Sequence, residues 1–158
     1  MKNKLIIFFL VCLLGTLSVS AQVKLSTLTQ LENRVKAGKD TNYIINFWAT
    51  WCKPGINELS VFEKFRRANT SKPIKVILIR TDLKTILEQT VKPFVKKYGL
   101  MGDVYLLNEA PSLFYTRINA KWFGALPATW IVNAKQKSND FFNTDFTFDK
   151  LKTAVEGK

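Results

Sequence analysis

The sequence predicts an α/β fold of three layers, α/β/α, around a central mixed sheet. Three observations predict it. Two short apolar runs, residues 43–48 and 74–79, enclose a helical pattern, giving a strand–helix–strand unit whose strands should run parallel with a right-handed crossover. Two later runs, 129–132 and 138–142, flank the polar stretch Asn133-Ala134-Lys135-Gln136-Lys137 and read as an antiparallel hairpin. Finally, 158 residues, 47% of them hydrophobic, suffice for one packed domain, and no internal repeat or interdomain linker divides them.

Taken in order, the chain opens on Lys2 and Lys4, an apolar run over 5–14, and then small and polar residues, the layout of a secretory leader. Val19 and Ala21 occupy the two small-residue positions, so cleavage is expected after Ala21, leaving one domain over 22–158. A membrane anchor is the competing reading. The apolar stretch ends near Val19, short of the ~20 residues a spanning helix needs, and Val11 before Cys12 does not suit lipid attachment. The expectation is an exported chain of the periplasm or cell envelope with no transmembrane segment in its mature form. Losing the leader removes Cys12 and leaves Cys52 as the one cysteine, with no disulfide framework.

Over 26–37 the apolar residues Leu28, Leu31 and Val35 recur at helical spacing, Thr27 and Gln30 have the spacing of a capping box, and Gly38 ends the turn. The run 43–48 suits a buried strand. A second helix begins at the cysteine and ends near Ala68, with Ile56, Leu59, Phe62 and Phe65 as its core face and Lys64, Arg66 and Arg67 in its last turn, at the negative end of the macrodipole. Residues 74–79, almost continuously apolar, predict a strand covered on both faces. Ile86, Leu87, Val91, Phe94 and Tyr98 give 82–98 a helical period, but Pro93 removes an interior hydrogen bond, so a kink or two short helices are expected. Residues 104–107 read as a strand and 111–119 as a short helix. After the hairpin, Thr147 caps a last helix through Val155.

Composition closes off several chemistries. There is no histidine, which excludes Ser/His/Asp and Cys/His catalysis and puts a zinc site out of reach. Nothing in the sequence calls for a metal or a cofactor. The formal charge is +12, but the lysines are dispersed and no nucleic-acid motif accompanies them. A solvated basic surface is the favoured reading and no nucleic-acid partner is expected, while attraction to acidic partners would be sensitive to salt.

Cys52 follows a buried strand and opens a helix, where unpaired backbone N–H groups and the positive end of the dipole stabilise a thiolate. Pro54 fits the first turn because it has no intrahelical bond to lose there. Trp48 and Trp51 read either as shields of the sulfur and a docking surface, or as plain aromatic core. The segment Phe47-Trp48-Ala49-Thr50-Trp51-Cys52-Lys53-Pro54 resembles the active-site segment of the TlpA-like, or redoxin, branch of the thioredoxin superfamily, envelope thiol-disulfide oxidoreductases whose motif reads W-C-x-P-C-x-x-E. This chain supplies Trp51, Cys52, Pro54 and Glu58 but has Gly55 where the second cysteine belongs. A second segment, Gly124-Ala125-Leu126-Pro127-Ala128-Thr129, resembles the family's cis-proline loop and stands just before a predicted strand.

The resemblance implies the thioredoxin fold with Cys52 as nucleophile and Glu58 handling protons near it. It further implies Trp51, Lys53 and Pro54 along the substrate approach, and the Leu126 backbone beside Pro127 pairing with an extended substrate segment. Glu58 has a second reading as an acid stabilised by the start of the helix, and Pro127 as an ordinary trans proline in a turn. Gly55 decides the mechanism. In a dithiol protein the second thiol attacks the mixed disulfide and frees the substrate, whereas here only an external thiol does so. The expected partners are therefore protein thiols and disulfides, or small thiols, through Cys52. The expected function is single-thiol exchange or mixed-disulfide formation; the alternative is a catalytically inactive module that binds a peptide or protein of the cell envelope through the same groove.

Overall fold

A computed structural model describes residues 23–82, 85, 87–110, 113–133 and 137–157. The expected leader over 1–21 and its cleavage lie outside the described residues, as do Ile86 and the side chain of Leu87. Among the described residues no helix is long and apolar enough to cross a membrane.

The elements in chain order are β1 (Lys24–Ser26), α1 (Leu28–Ala37), β2 (Asn42–Trp48), α2 (Lys53–Ala68), β3 (Ile74–Arg80), a π-helical turn (Leu87–Val91) running into α3 (Lys92–Lys97), β4 (Asp103–Leu107), α4 (Tyr115–Ile118), β5 (Ala128–Asn133), β6 (Ser138–Phe142) and α5 (Phe148–Glu156). The sheet has the order β1-β4-β3-β2-β5-β6. Its first three pairings are parallel and the last two, β2 with β5 and β5 with β6, are antiparallel.

Strand alternation sorts the side chains into two cores. Ile44 and Trp48 of β2, with Val76 and Leu78 of β3, meet Leu59, Phe62 and Phe65 of α2, Val95 of α3 and Leu151 and Val155 of α5. Tyr43, Ile45 and Phe47, with Ile77 and Ile79, meet Leu28, Leu31 and Val35 of α1 and, from the α4 region, Phe114 and Trp122. The three layers follow from that division. Leu59, Phe62 and Phe65 are each essentially inaccessible to solvent, worth about 1.5–3 kcal/mol apiece in apolar burial.

The capping box forms as the spacing predicts: Gln30 N–H donates to Thr27 Oγ1 at 3.1 Å and Thr27 N–H to Gln30 Oε1 at 2.9 Å. Gly38 does end α1, but at φ −86. What its missing Cβ leaves room for is the Tyr43 ring, whose hydroxyl oxygen would lie 2.2 Å from such an atom. Other details depart from the sequence pattern. Ile56 is half-buried, and Gly55, Glu58 and Glu63 join the buried side of α2. Pro93 sits in the first turn of α3, where its absent N–H costs nothing, so the helical stretch begins as a π turn and resumes as α. Tyr98 is exposed and stacks on Phe94 at 4.2 Å, while Val95 takes the core position. The helix expected over 111–119 is shortened to the four residues of α4, with 111 and 112 outside the described residues.

Candidate functional site

β2 delivers the chain at Trp48 to a short loop, and Cys52 becomes the N-cap of α2 with extended φ −91 and ψ 91. Its N–H donates to Ala49 O at 3.1 Å, and its carbonyl accepts the first helical bond, from Ile56 N–H at 3.0 Å. Pro54 stands in the first turn, where no donor is needed. Cys52 is 6% exposed and its Sγ makes no hydrogen bond among the described residues. A Cβ built on Gly55 would lie 3.4 Å from that Sγ, 3.5 Å from Trp48 Cβ and 3.7 Å from Pro127 Cβ. Cys52, Gly55, Trp48 and Pro127 therefore meet at one point.

The Leu126–Pro127 peptide is cis. Its loop is clamped from two sides: Trp122 Nε1 donates to Ala125 O at 2.8 Å, and Asn143 Nδ2 donates to Ala125 O at 2.9 Å and Pro127 O at 2.8 Å. Both carbonyls flanking Leu126 are thus engaged, while the N–H and C=O of Leu126 itself are left without partners among the described residues. Gly124 turns the loop at φ +92, a conformation that favours glycine, and a Cβ there would also strike the Tyr115 ring at 2.3 Å. Trp51 is 70% exposed, and Lys53 and Pro54 are exposed beside it. Trp48 is core: fully buried, it packs on Phe94 at 5.1 Å, so of its two readings docking surface is the wrong one.

Glu58 lies one turn past Gly55 on the buried side of α2 and is 3% exposed. Each carboxylate oxygen is engaged. Asn46 Nδ2, reaching up from β2, donates to Oε1 at 2.7 Å, and Phe146 N–H donates to Oε2 at 2.9 Å. Burial pushes the carboxyl up to about 7, against the two hydrogen bonds, which favour the charged form, and with a push from nearby Asp145. A cleft of about 330 Å³ bordered by Lys53, Pro54, Asn57, Glu58, Val61, Asp145 and Phe146 adjoins it, and Cys52 is not part of its wall. A side chain with its midpoint near neutrality both gives and takes a proton at physiological pH.

Sequence reasoning missed the supports of these groups. Asn46 is one. By alternation it shares a face with Ile44 and Trp48, and a lone amide in an apolar run was its only signal. Asp82 is another: its carboxylate accepts from Thr50 N–H and Thr50 Oγ1, both at 3.0 Å, and from Arg80 Nε at 2.6 Å. Arg80 ends β3, one residue past the predicted strand, and is wholly buried.

No family model matches the chain. It is 25% identical over 111 residues to the thioredoxin-like protein YneN of Bacillus subtilis, a match spanning 70% of this chain and 61%, less than two thirds, of that protein. It is 22% identical over 139 residues to the thiol-disulfide oxidoreductase ResA of Geobacillus thermodenitrificans, spanning 88% of this chain and 75% of that one. A solved thiol:disulfide interchange protein of the thioredoxin family from Chlorobium tepidum superposes with a TM-score of 0.63 at 20% identity, over 77% of this chain and 81% of that one. At that identity the likeness establishes a shared fold.

Proposed function

Proceeding from a chain that belongs to the thioredoxin superfamily, in its redoxin family of thiol-disulfide oxidoreductases, we propose that this protein forms and exchanges mixed disulfides through Cys52 alone, outside the cytoplasm. The observation that carries the reading is the contact around Gly55. A Cβ at residue 55, where the second cysteine of the motif belongs, would lie 3.4 Å from Cys52 Sγ, and the position holds glycine. The leader over 1–21 supports export to the periplasm or cell envelope.

The chemistry runs in two exchanges. The Cys52 thiolate attacks one sulfur of a partner disulfide; a new S–S bond joins Cys52 to the partner, and the partner's second sulfur leaves as a thiolate. With no neighbouring thiol at residue 55, an external thiolate then attacks the mixed disulfide and expels either Cys52 or the partner sulfur. The N–H and C=O of Leu126, without partners among the described residues, pair with an extended partner segment, and exposed Trp51, Lys53 and Pro54 border its path. Glu58, six residues along from Cys52 and with its midpoint near 7, is the carboxyl group that takes up or releases a proton during the exchange.

The near-burial of Cys52 favours a second reading, in which the groove binds a partner and the sulfur does not turn over. One experiment separates the two. The protein is incubated with a peptide disulfide, quenched with acid and weighed intact without reductant. The first reading expects a persistent adduct of one peptide half, absent in Cys52→Ala and released by glutathione. Peptide binding retained in Cys52→Ala with no adduct in the parent overturns it in favour of the second.

A further inference from the structure

Beneath the loop that carries Cys52 lies an ion pair at a depth where charges are seldom found. The Arg80 and Asp82 side chains are 0% and 4% exposed, and Arg80 Nε meets Asp82 Oδ2 at 2.6 Å. The guanidinium lies over the Trp48 ring, 5.9 Å from its centroid, and its Nη1 has no acceptor among the described residues. Burial lowers the Arg80 pKa from its ordinary value, although Asp82 pulls it back up. A buried pair with a donor to spare gains little or nothing over well-packed apolar residues. Stability alone is therefore a poor account of its presence.

What the pair does contact is the active loop. Among the described residues, the remaining hydrogen bonds of the Asp82 carboxylate go to Thr50, from the backbone N–H and from Oγ1, and Arg80 Nη2 donates to the same Thr50 Oγ1 at 3.1 Å. The next residue, Thr81, donates its N–H to Trp48 O at 3.0 Å and its Oγ1 to the same oxygen at 3.3 Å. The end of β3 thus holds the chain at Trp48 and at Thr50. From there it passes through Trp51 to Cys52, whose N–H is tied back to Ala49. The sulfur makes no side-chain bond of its own among the described residues, so its place at the start of α2 is set through these loop contacts.

We propose that the buried Arg80–Asp82 pair is a positioning device for Cys52, acting through Thr50 to hold the sulfur at the first turn of α2, where Gly55 and Pro127 meet. Asp82, Arg80 and Thr50 are positioning residues: they do not touch a partner disulfide. This inference rests on Cys52 reacting by disulfide exchange, as proposed above. Its cost to reactivity when lost is a geometric one, because an ångström of drift in an attacking atom is worth on the order of ten- to a hundred-fold in rate.

The test compares Thr50→Val, which removes the hydroxyl at similar volume, with Thr50→Ser, which keeps it, and with Asp82→Asn. For each, the rate of thiolate release from an aromatic disulfide, 5,5′-dithiobis(2-nitrobenzoate), is measured folded and again in denaturing urea, beside its thermal midpoint. The expected result is a folded-state rate at least five-fold below the parent in Thr50→Val and lower still in Asp82→Asn, with Thr50→Ser within two-fold of the parent and all urea rates equal. A Thr50→Val protein that stays folded and reacts at the parent rate overturns the inference, as does a Thr50→Ser protein as slow as Thr50→Val. If Asp82→Asn does not fold, the two Thr50 variants decide. Failure of the underlying reading looks different: the parent itself then reacts no faster folded than in urea.

Discussion

The start of α2 carries a thiol at its N-cap and a carboxyl in its second turn, and the protein treats the two in opposite ways. Glu58 is held by direct hydrogen bonds to both oxygens, from β2 below and from the segment ahead of α5. Cys52 has no side-chain partner among the described residues, and its surroundings are packing and backbone: Trp48, Pro127 and the space over Gly55. The carboxylate side is thus complete and the sulfur side lacks a neighbour. The carboxyl and the thiol rest on separate supports, so either can be altered without dismantling the other.

The widest break in that contrast is Gly55→Cys, which supplies the neighbour. The new Cβ would make van der Waals contact with Cys52 Sγ at 3.4 Å and clash with nothing. The expected outcome is a variant that oxidises to an internal disulfide, seen as the loss of two hydrogens by intact mass. A mixed disulfide on Cys52 should then resolve roughly a hundred-fold faster than in the parent, since the attack becomes intramolecular. A variant that keeps two free thiols under air shows that the two sulfurs do not face each other.

Glu58 sharpens the other side. Its folded-state midpoint of about 7 lies above the ordinary value of 4.5, so between those values the unfolded chain is ionised while the folded one keeps its proton. Unfolding then releases a proton, and stability falls as pH rises through that window. The contribution is fully present below 4.5 and lost above about 7, in total on the order of 3 kcal/mol. With no histidine in the chain, few other side chains change charge there. Urea unfolding between pH 4.5 and 8 should show the decline in the parent and a much flatter profile in Glu58→Gln; a flat parent profile removes the elevated midpoint.

Asn46→Val probes the support rather than the group. The Asn46 hydrogen bond favours the ionised carboxylate, so losing it raises the Glu58 midpoint further and extends the decline to higher pH. The variant should lose about 1.5 kcal/mol more at pH 8 than at pH 5, the worth of a bond to a charged group. Asn46 Nδ2 also donates to Thr129 Oγ1 at 3.2 Å, and an equal loss at both values means that this bond, not the one to Glu58, is what the residue contributes.

Much of this contrast was legible in the sequence, and the part that was not has a physical reason. The strand, the cysteine, Pro54, Glu58 and Pro127 are local: each announces itself within a few residues, as does the Thr27–Gln30 box. Asn46, Asp82, Asn143 and Thr50 act across the sheet or between loops, and no spacing along the chain relates Asn46 to Glu58 or Asp82 to Thr50. Arg80 was hidden because it extends an apolar strand by one residue and reads as the solvent end of it. β1 escaped because its three residues, two of them exposed, show no alternation to read.

The smallest effect concerns the glycine itself. Gly55 is helical, and a glycine inside a helix costs about 0.5–1 kcal/mol against alanine. The nearest atoms to an added Cβ, at 3.4, 3.5 and 3.7 Å, are at ordinary contact distance, so Gly55→Ala should raise stability by roughly 0.5–1 kcal/mol, read as a higher urea midpoint at unchanged slope. That gain would mean the chain keeps a less stable residue beside the sulfur than packing demands. A lower midpoint would instead make the gap a demand of packing between Trp48 and Pro127, and the asymmetry between the sulfur and carboxylate sides would be a property of the fold rather than of its chemistry.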